Sequence, residues 1–406
     1  MAITFQERVL DNGIRLIGEV DPEAHSAAAG YFVRTGARDE SAQAMGVSHF
    51  LEHMMFKGPR DLSAEALNSA MDDLGASNNA YTSAELTCFY AHTLPGALPD
   101  AATLLGRMMR PALREEDFET ERGVILEEIA MYDDNPFWVL LEAASERHYR
   151  GHALGHRVLG TKQTIEQLPV TTMRSYFDER YTAEATVVAL AGALDMDEVA
   201  RALEALPEPW THGEPPPRGP APETGAGRFE ITRENVSRGY LLSIWQAPPI
   251  QDELRHAAKL LAQVVGEPGN SRLHWSLVEP GLADEAIAVY MGHDQAGDFV
   301  VYASGDPDKL ESIESVIAGE LEKAVDELDE RDLERLRAKA ATEVTVGGER
   351  PADRMQRLGS RWTLIGDYLP LEEQLEQVRA VSLDDLREVA RRYPLRPQTT
   401  GLLRPA

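Results

Sequence analysis

The stretch HGEPPPRGPAPETGAGR, residues 212–228, decides how this chain is divided. Proline removes backbone donors and fixes φ, and proline and glycine together crowd out apolar side chains. No helix or strand can persist through it. It reads as a linker, semi-rigid where the prolines run together. On either side lie residues 1–211 and 229–406, each of ordinary domain size.

Two parts of similar length invite a search for a repeat, and the end of each part supplies one. TIEQLPVTTMRSYFDERYTAEATVVALAG is echoed by QLEQVRAVSLDDLREVARRYPLRPQTTGLLRP. In both, an apolar turn leads to a Thr or Ser able to cap a helix, then to an amphipathic helix ending near Tyr181 or Tyr393, then to a β-rich segment. The starts match more loosely: GIRLIGEV and SAAAGYFVRTG read as strands, as do GRFEITRE and SRGYLLSIWQA. The expected fold is α+β, two copies of one unit joined by the Pro/Gly-rich linker.

Composition narrows the function. The formal net charge of -28, from 40 basic and 68 acidic residues, argues against nucleic acid or an anionic membrane as partner and would attract basic peptides. Most of the acid excess reads as solvated helix surface, as in EKAVDELDERDLERL, where Val325, Leu328, Leu333 and Leu336 fall near one helical stripe. No window approaches the roughly eighteen apolar residues of a membrane span, and MAITFQERVLDNG lacks the pattern of a secretory signal. The chain is expected in the cytoplasm. One cysteine, Cys88, excludes an internal disulfide and any multi-cysteine metal cluster, so a metal must use His and carboxylates.

GVSHFLEHMMF, residues 46–56, offers such a set. From Ser41 to Phe56 the pattern predicts a largely buried helix of about four turns. His49 and His53, at i and i+4, share one face of it, and Glu52 projects near the same face. Buried polar groups are costly unless satisfied, so either hydrogen bonds or a metal must account for them. Zinc suits imidazole and carboxylate donors but needs a third ligand. DFETERGVILEEIAMYDDNP is the best segment for one: Val124, Leu126, Ile129 and Met131 suggest its apolar face, and Glu121 and Glu128 stand two turns apart along one side. Either could reach a metal.

These motifs together resemble the M16 zinc metallopeptidases, the pitrilysin or inverzincin group. The family signature places a zinc-binding Glu some 75 residues beyond the second His, and His53 and Glu128 are separated by 75 residues. GVSHFLEHMMFKG, NNAYTSAELTCFYAHTL, ERGVILEEI and LGHRVLGTKQTI follow in the family's order. The resemblance implies one zinc per chain held by His49, His53 and Glu128 in a catalytic domain, 1–211, with Glu52 as general base and Glu121 supporting the site. It also implies two homologous domains, each a mostly antiparallel sheet packed with helices, forming half of a clamshell that admits peptides or short unfolded segments. In such proteins a strand matching NNAYTS lies at a sheet edge and pairs with substrate, which makes Asn79, Ala80, Tyr81 and Thr82 candidates for substrate binding.

Within EPGNSRLHWSLVEPGLADEAIAVY the chain departs from the family's wording. Active single-chain members carry an Arg and a Tyr, as in RGLAY, where this chain has Pro280 and Asp284. The missing donors could come from Tyr290 or Arg272, or from a partner chain, so a homodimer or a heterodimer with a related chain is expected. A non-catalytic or weakly active subunit of an M16-type assembly is the alternative to an active zinc endopeptidase. His92, His148, His152 and His156 are left as surface or core histidines.

Overall fold

Two apolar runs, AAAGYFV and TVVALAG, are buried along their whole length, which requires that both faces of their sheet be covered. The structure, a computed structural model, describes residues 3–206 and 210–406. The runs form β3 of a six-stranded sheet and its central neighbour. In chain order its strands are β1 (Thr4–Val9), β2 (Arg15–Val20), β3 (Ala27–Val33), β4 (Ser77–Thr82), β5 (Thr87–Thr93) and β6 (Thr186–Gly192). The spatial order is β1-β2-β6-β3-β5-β4, antiparallel except for β2 with β6. On one face, Tyr31 packs towards the Leu98–Met108 helix and donates a hydrogen bond of 3.0 Å to the Ala102 carbonyl. Ala28 and Phe32, pointing the other way, join Met355 and Leu358 of the Pro351–Ile365 helix.

A second sheet holds β7 (Gly227–Arg233), β8 (Gly239–Gln246), β9 (Ala283–His293), β10 (Ala296–Gly305) and β11 (Thr399–Pro405) in the order β7-β11-β8-β10-β9. β7 and β11 are parallel and the other pairs antiparallel. Laid over the first sheet, this order reproduces β2-β6-β3-β5-β4, so the two sheets are copies of one topology and β1 is extra. The strands expected from GIRLIGEV, SAAAGYFVRTG, GRFEITRE and SRGYLLSIWQA are β2, β3, β7 and β8. Ser382 caps the Leu383–Arg392 helix, accepting from the Asp385 N–H. At the matching place in the first part the cap position is Pro169, and no side chain caps that helix. EKAVDELDERDLERL does not form one helix: Leu310–Lys323 ends before Val325, and Glu330–Gly347 begins after Leu328.

The chain folds into two compact units that interleave in sequence. One comprises Met1–Ile129, Arg157–Gly219 and Val346–Leu369; the other comprises Ala130–His156, Pro220–Thr345 and Pro370–Ala406. Each sheet is thus covered by a helix from beyond the 212–228 linker. Pro136–His148 packs Val139, Leu140 and Ala144 on Leu242 and Ile244 of β8, and Pro351–Ile365 does the matching job on β3 and β6. A buried carboxylate clasps each borrowed helix. Glu19 on β2, 1% exposed, pairs with Arg354 at 3.0 Å and closely with Arg357. Asp298 on β10 accepts a short hydrogen bond from the Tyr149 hydroxyl and faces His148 at 3.4 Å. Among the described residues no helix is long and apolar enough to cross a membrane.

Candidate metal centre

Gly46 interrupts what periodicity predicts as one helix from Ser41. Its φ of 94° is left-handed, and a Cβ there would stand 2.6 Å from the Leu159 carbonyl oxygen and 2.8 Å from the Gly160 Cα. The helix therefore starts afresh as Val47–Met55, preceded by a short 3-10 turn over Ala42–Ala44. Its first N–H groups need acceptors, and the buried Glu40 supplies them: Oε2 accepts from Gly46 N and Oε1 from Ser48 N, both at 2.7 Å. Phe50, Leu51, Met54 and Met55 are fully buried around this helix, which fixes which way its histidines point.

The opposing helix, Glu115–Asp133, buries Phe118, Glu121, Ile125 and Ile129. Of the apolar face expected from sequence, Ile129 is buried, but Val124 and Met131 are 46% and 71% exposed. The buried stripe runs through Glu121 instead, one of the two glutamates two turns apart. Phe50 and Phe118 stack with centroids 4.5 Å apart and planes 12° from parallel, pinning the two helices where their polar groups meet.

There the structure brings His49, His53 and Glu128 together, with one donor atom from each lying within 4.8 Å of the others. Glu128 Oε2 stands 3.7 Å from His49 Nε2 and 3.6 Å from His53 Nε2. These separations are too long for hydrogen bonds. They are close to the roughly 3.4 Å between donors that each sit about 2.0–2.1 Å from a tetrahedral zinc ion. Burial, with His53 beside it, pushes the His49 imidazole down to about 3, so it is neutral and keeps the lone pair a metal needs. His53 Nδ1 lies 2.9 Å from Glu121 Oε1; donating there leaves its Nε2 lone pair facing Glu128 and His49. Although burial raises the Glu121 carboxyl, hydrogen bonds from Lys57 and His53 outweigh it and hold the group below the usual carboxylate range. The donor set and its spacing fit a metal such as zinc.

Glu52 adjoins this triangle and is 8% exposed. Burial raises its carboxyl, with a smaller upward push from Glu128, against the lowering effects of Thr82 and His53. The Thr82 hydroxyl donates to Glu52 Oε2 at 2.6 Å. Thr82 ends β4, which occupies a free edge of its sheet, and Asn79, Ala80 and Tyr81 precede it on that edge. The Tyr81 hydroxyl donates to Gln356 Oε1 at 3.0 Å. Two partners escaped the sequence reading. Lys57 pairs closely with Glu121, and its place four residues after His53 was the available signal. Thr82 was read only as an edge residue, and nothing local announces its bond to a side chain thirty positions earlier.

In the second unit, Asp284 is ion-paired with Arg238. Arg272 is held by Glu320 at 2.8 Å and by Glu327, and the Tyr290 hydroxyl donates to the Pro248 carbonyl at 2.9 Å. Both candidates for the missing donors are thus engaged within their own unit. His148 is a core residue with no exposure, His92 bonds Ser26, and His152 accepts from the Leu154 N–H.

Residues 15–162 match the family model described as insulinase, peptidase family M16, and residues 167–340 match that of the peptidase M16 inactive domain. An uncharacterized zinc protease of Mycobacterium bovis is 32% identical over 100% of this chain and 94% of its own length. One of Streptomyces coelicolor is 31% identical over 96% of this chain and 87% of its own. A protease from Helicobacter pylori has the same fold, with a TM-score of 0.92 at 21% identity and full coverage of both chains. With two family models in tandem and full-length relatives above 30% identity, the chain belongs to peptidase family M16.

Proposed function

We propose that this chain is a zinc-dependent endopeptidase acting on peptides or short unfolded segments, with one zinc per chain at His49, His53 and Glu128. The observation that carries the reading is the triangle of two imidazole nitrogens and a carboxylate oxygen with a second buried carboxylate, Glu52, beside it. Bound zinc supplies a Lewis acid that polarises the scissile carbonyl and lowers the pKa of water.

The chain's own residues do the rest. Glu52, raised by burial, is suited to take the proton of the attacking water and hand it to the leaving amine. Thr82 occupies Oε2 and leaves Oε1 for the water. The free edge of β4, Asn79 to Thr82, offers backbone donors and acceptors on which an extended peptide adds as a strand, so backbone pairing dominates recognition. The acidic surface favours basic peptides.

A second reading rests on Pro280 and Asp284: the oxyanion donors come from a partner chain, in a homodimer or a heterodimer, and this chain alone cleaves weakly. The engagement of Arg272 and Tyr290 elsewhere favours it. Metal analysis with a quenched-peptide assay on wild type and Glu52→Gln tests both. One zinc in each protein with cleavage only by wild type is expected. Wild type without zinc overturns the proposal, and zinc with cleavage only after addition of a related chain selects the second reading.

A further inference from the structure

The linker is not solvated throughout. At its centre the Arg218 side chain is only 4% exposed, and its guanidinium forks onto Asp39, with Nε 3.2 Å from Oδ1 and Nη2 3.1 Å from Oδ2. The same guanidinium donates closely to the Glu85 carbonyl and lies 3.5 Å from Glu85 Oε1. Arg38 pairs with that carboxylate at 2.7 Å, and Arg180 approaches Asp39 at 3.6 Å. The Asp39 and Glu85 side chains are 3% and 5% exposed. A buried fork of this kind is directional as well as attractive, and it fixes the backbone on both of its sides.

What it fixes is the turn between β4 and β5. Glu85 lies in that turn, and two further backbone bonds hold it from the same side: Ala37 N donates to the Ser83 carbonyl at 3.2 Å and Arg38 N to the Ala84 carbonyl at 2.8 Å. Asp39 in turn accepts from Gly36 N at 3.1 Å. Thr82, whose hydroxyl holds Glu52, is the residue immediately before this turn. A continuous path of hydrogen bonds and chain therefore runs from Arg218 through Glu85 to Thr82 and Glu52, all within one compact unit.

We propose that Arg218 is a positioning residue: the linker arginine locks the 83–86 turn and so holds Thr82 against Glu52. The catalytic part of this inference rests on the endopeptidase reading, whereas the locking of the turn does not. Arg218 touches neither the metal-ligand triangle nor Glu52 and acts only through the turn.

The test compares wild type, Arg218→Gln, Thr82→Val and the double variant by hydrogen exchange and by cleavage of a quenched peptide, using the full chain loaded with zinc. In Arg218→Gln the amides of Ala37 and Arg38 are expected to exchange at least tenfold faster, with β2 and β6 unchanged. The kcat is expected to fall about tenfold with KM within twofold and zinc content intact. The loss is expected to be non-additive with Thr82→Val, because both changes release the same contact. Unchanged exchange at Ala37 and Arg38 overturns the strap. Faster exchange with full kcat, or with additive losses, overturns the positioning role. A wild type that cuts nothing overturns the endopeptidase reading and with it the catalytic part, and the exchange contrast then upholds or overturns the strap by itself. If Arg218→Gln does not fold, Arg218→Lys keeps the charge, loses the fork, and must give the same exchange contrast.

Discussion

The Thr82 hydroxyl donates a 2.6 Å hydrogen bond to Glu52 Oε2, joining the free edge strand β4 to the carboxylate beside the His49, His53 and Glu128 triangle. The strand proposed to align substrate thereby also sets the orientation of the proposed base. Replacing Thr82 by Val keeps the shape and removes the donor. The expected result is about a tenfold loss in kcat/KM, or ~1.4 kcal/mol, the scale of one hydrogen bond to a charged group. Zinc content should not change, and steady-state kinetics with metal analysis checks both.

Glu121 holds His53 Nδ1 from one side and Lys57 from the other. In Glu121→Gln the amide can still face His53 but loses the charge. Metal affinity is expected to fall by roughly 10- to 100-fold, the usual cost of disturbing a ligand's supporting partner. Competition with a chromophoric chelator measures it. Glu128→Ala, which removes a corner of the triangle, should abolish stoichiometric zinc altogether.

Gly46 sits at a left-handed φ of 94° against the backbone of Leu159 and Gly160. Gly46→Ala strains the backbone and forces that segment away, so unfolding free energy should drop by roughly 2 kcal/mol or more. The start of the Val47–Met55 helix must shift as well, and weaker zinc binding should accompany the lower denaturant midpoint.

Asp298 gives an acid-side signature. Burial raises its carboxyl, but the imidazoles of His148 and His293 beside it and the Tyr149 hydroxyl prevail and bring it from 3.8 down to about 2. The folded pKa lies below the unfolded one, so the unfolded chain binds the proton first as pH falls. The stabilisation is therefore complete above about pH 4 and is lost between there and about pH 2, on the order of 2 kcal/mol in all. Asp298→Asn should be less stable than wild type at pH 6, and the gap should close towards pH 3. A gap that widens on acidification contradicts this assignment.

The duplicated fold was legible because its signals are local: the strand runs that became β2, β3, β7 and β8, and the parallel wording at the two ends. The triangle was legible for a related reason, since an i, i+4 histidine pair faces one way on any helix, and the family's wording then selected Glu128. Other features lay beyond such reading. An amphipathic stripe such as that of Pro136–His148 states that it must be covered, not which sheet will cover it. Arg218, set among prolines and glycines, looked like any solvated linker charge, because its partners Asp39 and Glu85 are more than 130 positions away. The break at Gly46 was hidden by apolar residues that continue the period across it.

The exchanged helices set an order of events at the ribosome. The first sheet cannot cover β3 and β6 until Pro351–Ile365 has emerged, and only then does Glu19 find Arg354 and Arg357. An N-terminal product ending at residue 211 would carry His49, His53, Glu128 and Glu52, yet it would expose Phe32 and Ala28 to water and leave Glu19 without its arginine partners. It should therefore aggregate or require a chaperone, and the His49, His53 and Glu128 triangle becomes a late product of synthesis. On the proposed function, a chain that stays unfinished until most of its length is made cannot cut the chains emerging beside it.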